Sequence, residues 1–282
     1  MTFEKWQALG NDYVIVEAAQ LPWELTPARV RGLCDRHRGI GSDGVLLLSP
    51  PDGEGYVARL RIFNPDGSEA ELSGNGARQA VLYLRRRGWT DARAFSVQTA
   101  AGEIRPTITG ETTCTLDMGR ARLRSPDFPS GGDDGRGTLE AGGRTWSFQH
   151  VSVGNPQCAI FVDGDELERL DVAAIGPEIE RHRLFPNRTN VSFVRAVEPS
   201  VVRARIFERG VGETLSSGTG ASGAAVAHVL RGGESPVTVR LDGGELEVDV
   251  GEDLHVDLSG WARPVYRGEL APELVEELDA AQ

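Results

Sequence analysis

Short runs of β-branched and apolar residues recur along the chain at Tyr13 to Glu17, Val45 to Leu48, Ala58 to Phe63, Thr112 to Met118, Cys158 to Val162, Val191 to Val194 and Val201 to Phe207. Their length and composition predict strands. Helical pattern is confined to a few segments. Thr26-Pro27 offers a threonine cap and a first-turn proline, which predicts a helix running toward Arg36, with a counterpart through Val172 to Arg181. The turns Gly74-Asn75-Gly76 and Gly218-Thr219-Gly220 lead into AVLYLRRRG and AAVAHVLRGG. Both stretches are apolar on most sides and predict buried helices. The arginines Arg85 to Arg87 and Arg231, followed by Gly88 and Gly232, suit their C-termini through the helix dipole and the glycine cap.

Strand runs broken by so few helices define an α+β fold rather than a doubly wound one. Ser125 to Thr138 is polar and rich in glycine and proline, and predicts a mobile surface loop. VTVRLDGGELEVDV predicts a hairpin turning at Asp242-Gly243-Gly244, followed by a further strand in LHVDLSGWARPVYRGEL. Beyond Ala271 the acidic tail reads as a short helix or a frayed end.

The pattern also repeats. RIFNPDGSEAELSGNGARQA (Arg61 to Ala80) aligns without a gap with RIFERGVGETLSSGTGASGA (Arg205 to Ala224). Comparing 59–84 with 203–228 gives ten identities, at Arg59, Arg61, Ile62, Phe63, Glu69, Ser73, Gly74, Gly76, Ala77, Ala80 and their partners. Composition alone predicts roughly two. The same offset joins Gly10-Asn11 to Gly154-Asn155, and an offset larger by one residue joins Arg36-His37-Arg38 to Arg181-His182-Arg183. A duplication this long predicts two similar domains related by a pseudo-twofold axis, with a ligand cleft between them. The expected division is 1–117 and 118–262, with a C-terminal strand near 263–275 rejoining the first domain.

A chain of 282 residues, 39% hydrophobic, is long enough for two cores. Its net charge of -12 argues against nucleic-acid or anionic-membrane partners, which require a basic footprint. A small-molecule ligand is expected instead. No stretch approaches the roughly 18 apolar residues of a membrane span, and the first residues lack a signal peptide's apolar core, so a cytoplasmic protein is expected. Cys34, Cys114 and Cys158 are odd in number and widely spaced, which predicts reduced thiols and neither disulfides nor a zinc cluster. His37 and His182 read as structural or solvated, His150 and His255 as isolated. Neither a metal nor a cofactor is expected.

A glycine-rich turn that opens a helix aims backbone N–H groups and a positive dipole end at whatever lies in front of it, which favours a carboxylate or a phosphate. One such turn is ordinarily a cap; two duplicated turns, each preceded by a serine (Ser73 and Ser217), read as a site for one small anion. Asn11, Asn64, Asn155 and Asn190 are candidates to hydrogen-bond an amino-acid head group, and Glu208 and Arg209 supply one charge of each sign. Turn capping accounts equally well for Asn11 and Asn155, which precede Asp12 and Pro156, and a surface ion pair for Glu208 with Arg209.

At these residues the chain resembles diaminopimelate epimerase, a cofactor-independent amino-acid epimerase. The resemblance covers nearly the whole chain. It is carried by ALGNDYVIV (Ala8 to Val16), HRGIGSDGVLL (His37 to Leu47), FNPDGSEAELSGNGAR (Phe63 to Arg78), LDMG (Leu116 to Gly119), VGNP (Val153 to Pro156), NRTNVSFV (Asn187 to Val194) and ERGVGETLSSGTG (Glu208 to Gly220). It implies two pseudo-symmetric β-rich domains each wrapping a central helix, a cleft that closes on substrate, and a homodimer. It also implies substrate contacts at Asn11, Asn64, Gly74, Asn75, Asn155, Asn190, Glu208, Arg209, Gly218 and Thr219. The family reaction moves the α-proton between LL- and meso-diaminopimelate, serving lysine and peptidoglycan synthesis.

Three positions depart from the family pattern. Where the family uses a thiolate base and a thiol acid, this chain has Ser73 and Ser217, and where a histidine follows the GNP motif it has Gln157. A serine hydroxyl is a far weaker acid than a thiol and needs an adjacent base to act. Glutamine carries no charge. The expected catalytic groups are Ser73, Ser217 and Glu208. Two further readings accompany this one: a same-fold isomerase or dehydratase of another small carboxylate with Asp43, Asp66 or Glu208 as base, and a non-catalytic amino-acid binder.

Overall fold

The computed structural model describes residues 1–281. The chain forms two compact units, one of Met1–Leu116 together with the chain from Trp261 onward, the other of Asp117–Gly260.

In the first unit a mixed sheet runs in the order Arg263–Glu269, Thr2–Ala8, Asn11–Glu17, Val45–Ser49, Ala58–Phe63, Val97–Thr99, Gly102–Ile104. Helix α1 (Pro27–Cys34) starts at Thr26, whose side chain accepts from Arg29 N. The central strands are buried on both faces, which is why they read as continuous apolar runs rather than alternating ones. Val14, Val16, Val45 and Leu47 join Val30 and Leu33 of α1 and Leu278 in one core. Ile15, Leu46 and Leu48, of opposite parity, are fully buried as well. Helix α2 (Gly74–Arg86) packs on this sheet and is buried from Asn75 to Leu84. Burying a leucine or valine side chain contributes about 1.5–3 kcal/mol, so this apolar helix is held by its sheet more than by its own propensity.

The second unit repeats the plan. The second sheet runs Arg136–Ala141, Arg144–Ser152, Pro156–Phe161, Asn190–Glu198, Val201–Glu208, Val237–Leu241, Gly244–Val250, His255–Trp261, Thr113–Arg120, Pro106–Ile108. Helix α3 (Glu166–Arg169) is a single turn, and α4 (Val172–Glu180) is capped by the Asp171 side chain and contributes Val172 and Ile179 to a core with Phe148, Phe185 and Phe193. Helix α5 (Gly218–Val229) is composed largely of glycine and alanine and is buried along most of its length. Small residues let the surrounding strands approach its backbone closely.

The duplication is visible in detail. Asn11–Glu17 pairs in parallel with Val45–Ser49, which pairs antiparallel with Ala58–Phe63; Pro156–Phe161, Asn190–Glu198 and Val201–Glu208 do the same. Each third strand pairs with a short one, Glu69–Ala70 or Gly212–Thr214. Even an ion pair recurs, Arg61–Glu69 at 2.7 Å and Arg205–Glu213 at 2.6 Å.

One local expectation changes, and one open alternative is decided. Ser125 to Thr138 is not wholly a surface loop: its last residues begin the strand Arg136–Ala141, and Phe128 packs against Phe148 and Phe185. The aromatic inside a polar, glycine-rich segment is what anchors it. The acidic tail forms helix α6 (Pro272–Ala280), which turns Leu278 onto the first unit's core. Among the described residues no helix is long and apolar enough to cross a membrane.

Candidate active site

Both SGxG turns fold as caps with the same geometry. Ser73 is extended at φ -131 and its Oγ accepts from Gly76 N at 3.1 Å; Ser217 is extended at φ -142 and accepts from Gly220 N at 3.2 Å. Each serine therefore sits at the positive end of a buried helix, with its oxygen held by one N–H of the first turn. Gly74 and Asn75, and Gly218 and Thr219, follow as first-turn residues.

The two serines differ in their second partner. Ser217, buried, donates to Glu208 Oε2 at 2.8 Å, while Thr214 Oγ1 donates to Glu208 Oε1 at 2.8 Å. Burial, the largest influence, raises the Glu208 carboxyl above its ordinary value against the lowering effect of these two hydroxyl donors. Glu208 accepts from hydroxyls rather than from Arg209, so the surface ion pair considered from the sequence does not form. Arg209 instead donates through Nη1 to Asn187 O at 3.0 Å and through its backbone N to Asn190 Oδ1 at 2.8 Å.

Ser73 has no carboxylate partner of this kind. Its strand carries Asn64 at the position matching Glu208, and the Asn64 amide donates to Ser68 Oγ at 3.0 Å in its own turn. The group that reaches Ser73 is Tyr13, whose hydroxyl donates to Ser73 Oγ at 3.3 Å. Room for that ring comes from Gly44, where a Cβ would lie 2.6 Å from Tyr13 Cε1 and 2.3 Å from the Phe63 carbonyl oxygen.

Tyr13 and Gln157 are matching positions of the repeat, as are Gln79 and Gly223. In the first unit the buried Gln79 donates through Nε2 to Asn11 O at 3.0 Å. In the second, Gly223 leaves the space that Gln157 fills: a Cβ there would stand 2.7 Å from both Cβ and Cγ of Gln157. Gln157, wholly buried, donates to Asn155 Oδ1 at 2.6 Å, and Asn155 Nδ2 donates on to Thr219 Oγ1 at 3.2 Å. Thus Asn155 is tied to the N-terminus of α5 through its amide.

The remaining candidates are placed by their hydrogen bonds. Asn11 Nδ2 donates to Asp43 Oδ2 at 3.0 Å, and Asp43 pairs with Arg36 at 2.7 Å. Asn75 Oδ1 accepts from the fully buried Arg78 guanidinium, which burial pushes down to about 10. Asn190 bridges Pro156 O, 3.1 Å from its Nδ2, to Arg209 N. Asp66 accepts from Ser68 N and Oγ in an exposed turn, and those bonds hold its carboxyl low, which leaves it poorly suited as a base. The three thiols are buried, and burial raises all of them, Cys114 to about 12. Cys158 points into the aromatic core on the face of its strand opposite Gln157.

Sequence reasoning did not single out Tyr13 or Thr214. The repeat itself carried a signal for Tyr13, since it matches Gln157; Thr214 has none, because only the turn of the chain brings it to Glu208.

Comparisons with known proteins bear on the family and the fold. A family model described as diaminopimelate epimerase matches residues 3–124 and 149–262. The chain is 41% identical over 281 residues to the diaminopimelate epimerase of Synechococcus sp. (strain JA-3-3Ab), covering 96% of this chain and 98% of the relative. It is 42% identical over 272 residues to that of Azoarcus sp. (strain BH72), covering 95% and 98%. In fold it is similar to the crystal structure of a hydroxyproline epimerase from Agrobacterium vitis, with TM-score 0.66 at 16% identity over 98% of this chain and 94% of that one.

Proposed function

The chain belongs to the diaminopimelate epimerase family, a family of cofactor-independent amino-acid epimerases, and from that membership we propose that it interconverts LL- and meso-diaminopimelate using Ser73 and Ser217 as its proton-carrying groups. The hydrogen bond from Ser217 to Glu208 carries the reading, because it supplies the adjacent base that a hydroxyl requires. In the proposed step Ser217 Oγ takes the α-proton as its own proton passes to the Glu208 carboxylate. Ser73 then gives its proton to the carbanion as the Tyr13 hydroxyl passes its own proton to Ser73 Oγ, and solvent restores the starting state by taking the proton from Glu208 and returning one to the Tyr13 phenolate. The reverse reaction exchanges the two roles.

The carboxylate of the substrate suits the N-termini of α2 and α5, where first-turn N–H groups and the dipole favour an anion. Asn11, Asn64, Gly74, Asn75, Asn155, Asn190, Glu208, Arg209, Gly218 and Thr219 are the proposed substrate contacts. A raised Glu208 carboxyl also favours proton transfer, since a base works best when its pKa approaches the working pH. The same reading makes the protein a cytoplasmic homodimer in lysine and peptidoglycan synthesis, in keeping with the full-length similarity to diaminopimelate epimerases.

Proton NMR of the purified protein with LL-diaminopimelate in D₂O tests the proposal. Loss of the α-proton signal together with appearance of the meso isomer is expected. Binding of diaminopimelate without exchange would overturn it in favour of a non-catalytic binder.

A further inference from the structure

Away from the serine turns, the second unit gathers three metal-ligating side chains that the sequence keeps apart. His255 and Asp257 are alternate residues of the strand His255–Trp261, so their side chains leave the same face. Asp117 meets them from the adjacent strand Thr113–Arg120. His255, which the sequence left isolated, lies with Nε2 3.0 Å from Asp117 Oδ1, and one ligand atom from each of the three residues falls within 4.8 Å of the others. An ion about 2.0–2.2 Å from an imidazole nitrogen and two carboxylate oxygens would need these side chains only to close in slightly around it.

The surrounding charge points independently to a cation. Asp249 stands directly opposite Asp257 across the antiparallel pair Gly244–Val250 and His255–Trp261. Like charges in facing positions are destabilising unless something neutralises them. Arg120, close in sequence to Asp117, is engaged by Asp253.

We propose that Asp117, His255 and Asp257 form a site for a divalent cation of the zinc class, which clips the first strand of the second unit to its last. One imidazole and two carboxylates suit zinc better than magnesium or calcium, which favour all-oxygen shells. Binding uses the Nε2 lone pair, so the ion would take the place of the direct His255–Asp117 contact. The site is separate from the serine turns and does not rest on the epimerase reading.

The test is isothermal titration of the full chain with zinc chloride in chelator-free buffer, beside thermal melting with and without the ion. One zinc per chain is expected, with a raised melting temperature. His255→Ala and Asp117→Asn should each weaken binding by more than the roughly 10–100-fold that follows loss of a mere supporting residue. Excess magnesium should not compete. Absence of stoichiometric binding, or binding that neither variant weakens, would overturn the proposal. Should His255→Ala fail to fold, Asp257→Asn and Asp117→Asn decide it by the same criterion.

Discussion

Ser217 donates to Glu208 at 2.8 Å, whereas the matching Ser73 receives a phenol, Tyr13, at 3.3 Å. Two copies of one turn have thus acquired chemically different neighbours. The second unit places a carboxylate beside its serine, and the first places a hydroxyl donor there. On the mechanism proposed above, a reaction that is symmetric about one carbon is served by an asymmetric pair.

Glu208→Gln keeps the size of the side chain and removes the base. We expect kcat to fall about 10²–10⁴-fold, the usual contribution of a general base. In the unsubstituted protein the acid limb of the kcat profile should lie above the ordinary carboxyl value of 4.5, because activity is lost as pH falls through a raised pKa. An ionised group with a raised pKa costs stability above that pKa, so the variant should also melt no lower than the parent at neutral pH. An unchanged profile in the variant would remove Glu208 from the mechanism.

Ser73→Cys combined with Ser217→Cys should raise the rate of α-proton exchange at least about tenfold, since a thiol is a few per cent ionised near neutrality and intrinsically more nucleophilic. Deuterium incorporation followed by NMR measures this directly. No gain would make Gln157 the next residue to replace.

Tyr13→Phe removes the hydroxyl that donates to Ser73 and leaves the buried ring in place. A kcat reduced about tenfold with KM nearly unchanged is the expected steady-state result. A rise in KM alone would show that Tyr13 serves binding rather than proton supply.

Gly223→Ala drives a methyl against Gln157 at 2.7 Å. Overpacking costs about 1–3 kcal/mol, and this exceeds the roughly 0.5–1 kcal/mol that alanine contributes within a helix. The melting temperature should therefore fall. In a Gln157→Gly background, which removes both of the carbons that the methyl would meet, the same substitution should cost far less, and a double-mutant cycle reads the coupling.

Much of this protein follows from local pattern. A strand such as Val45–Ser49 is legible because burial on both faces demands an unbroken apolar run, Ala58–Phe63 because its buried positions alternate with arginines, and α1 because Thr26 and Pro27 satisfy its first turn. The pairing of Ser73 with Ser217 needed only the repeat, as both precede the same glycine turn and cap the same kind of helix. Short or alternating strands such as Thr2–Ala8 and Arg144–Ser152 gave weaker signals and emerge only in the sheets.

The sequence by itself determined the α+β class, the duplication, the family and the presence of serines at both turns, because these are written in periodicity and in ordered motifs. Tertiary structure decided which groups the serines meet. Glu208 lies beside Ser217 because Val201–Glu208 and Gly212–Thr214 fold back on each other before α5 begins, and Tyr13 reaches Ser73 from a distant strand through the space left by Gly44. The meeting of Asp117 with His255 is of the same kind. Contacts between residues far apart in the chain depend on register and packing, and no local pattern encodes them.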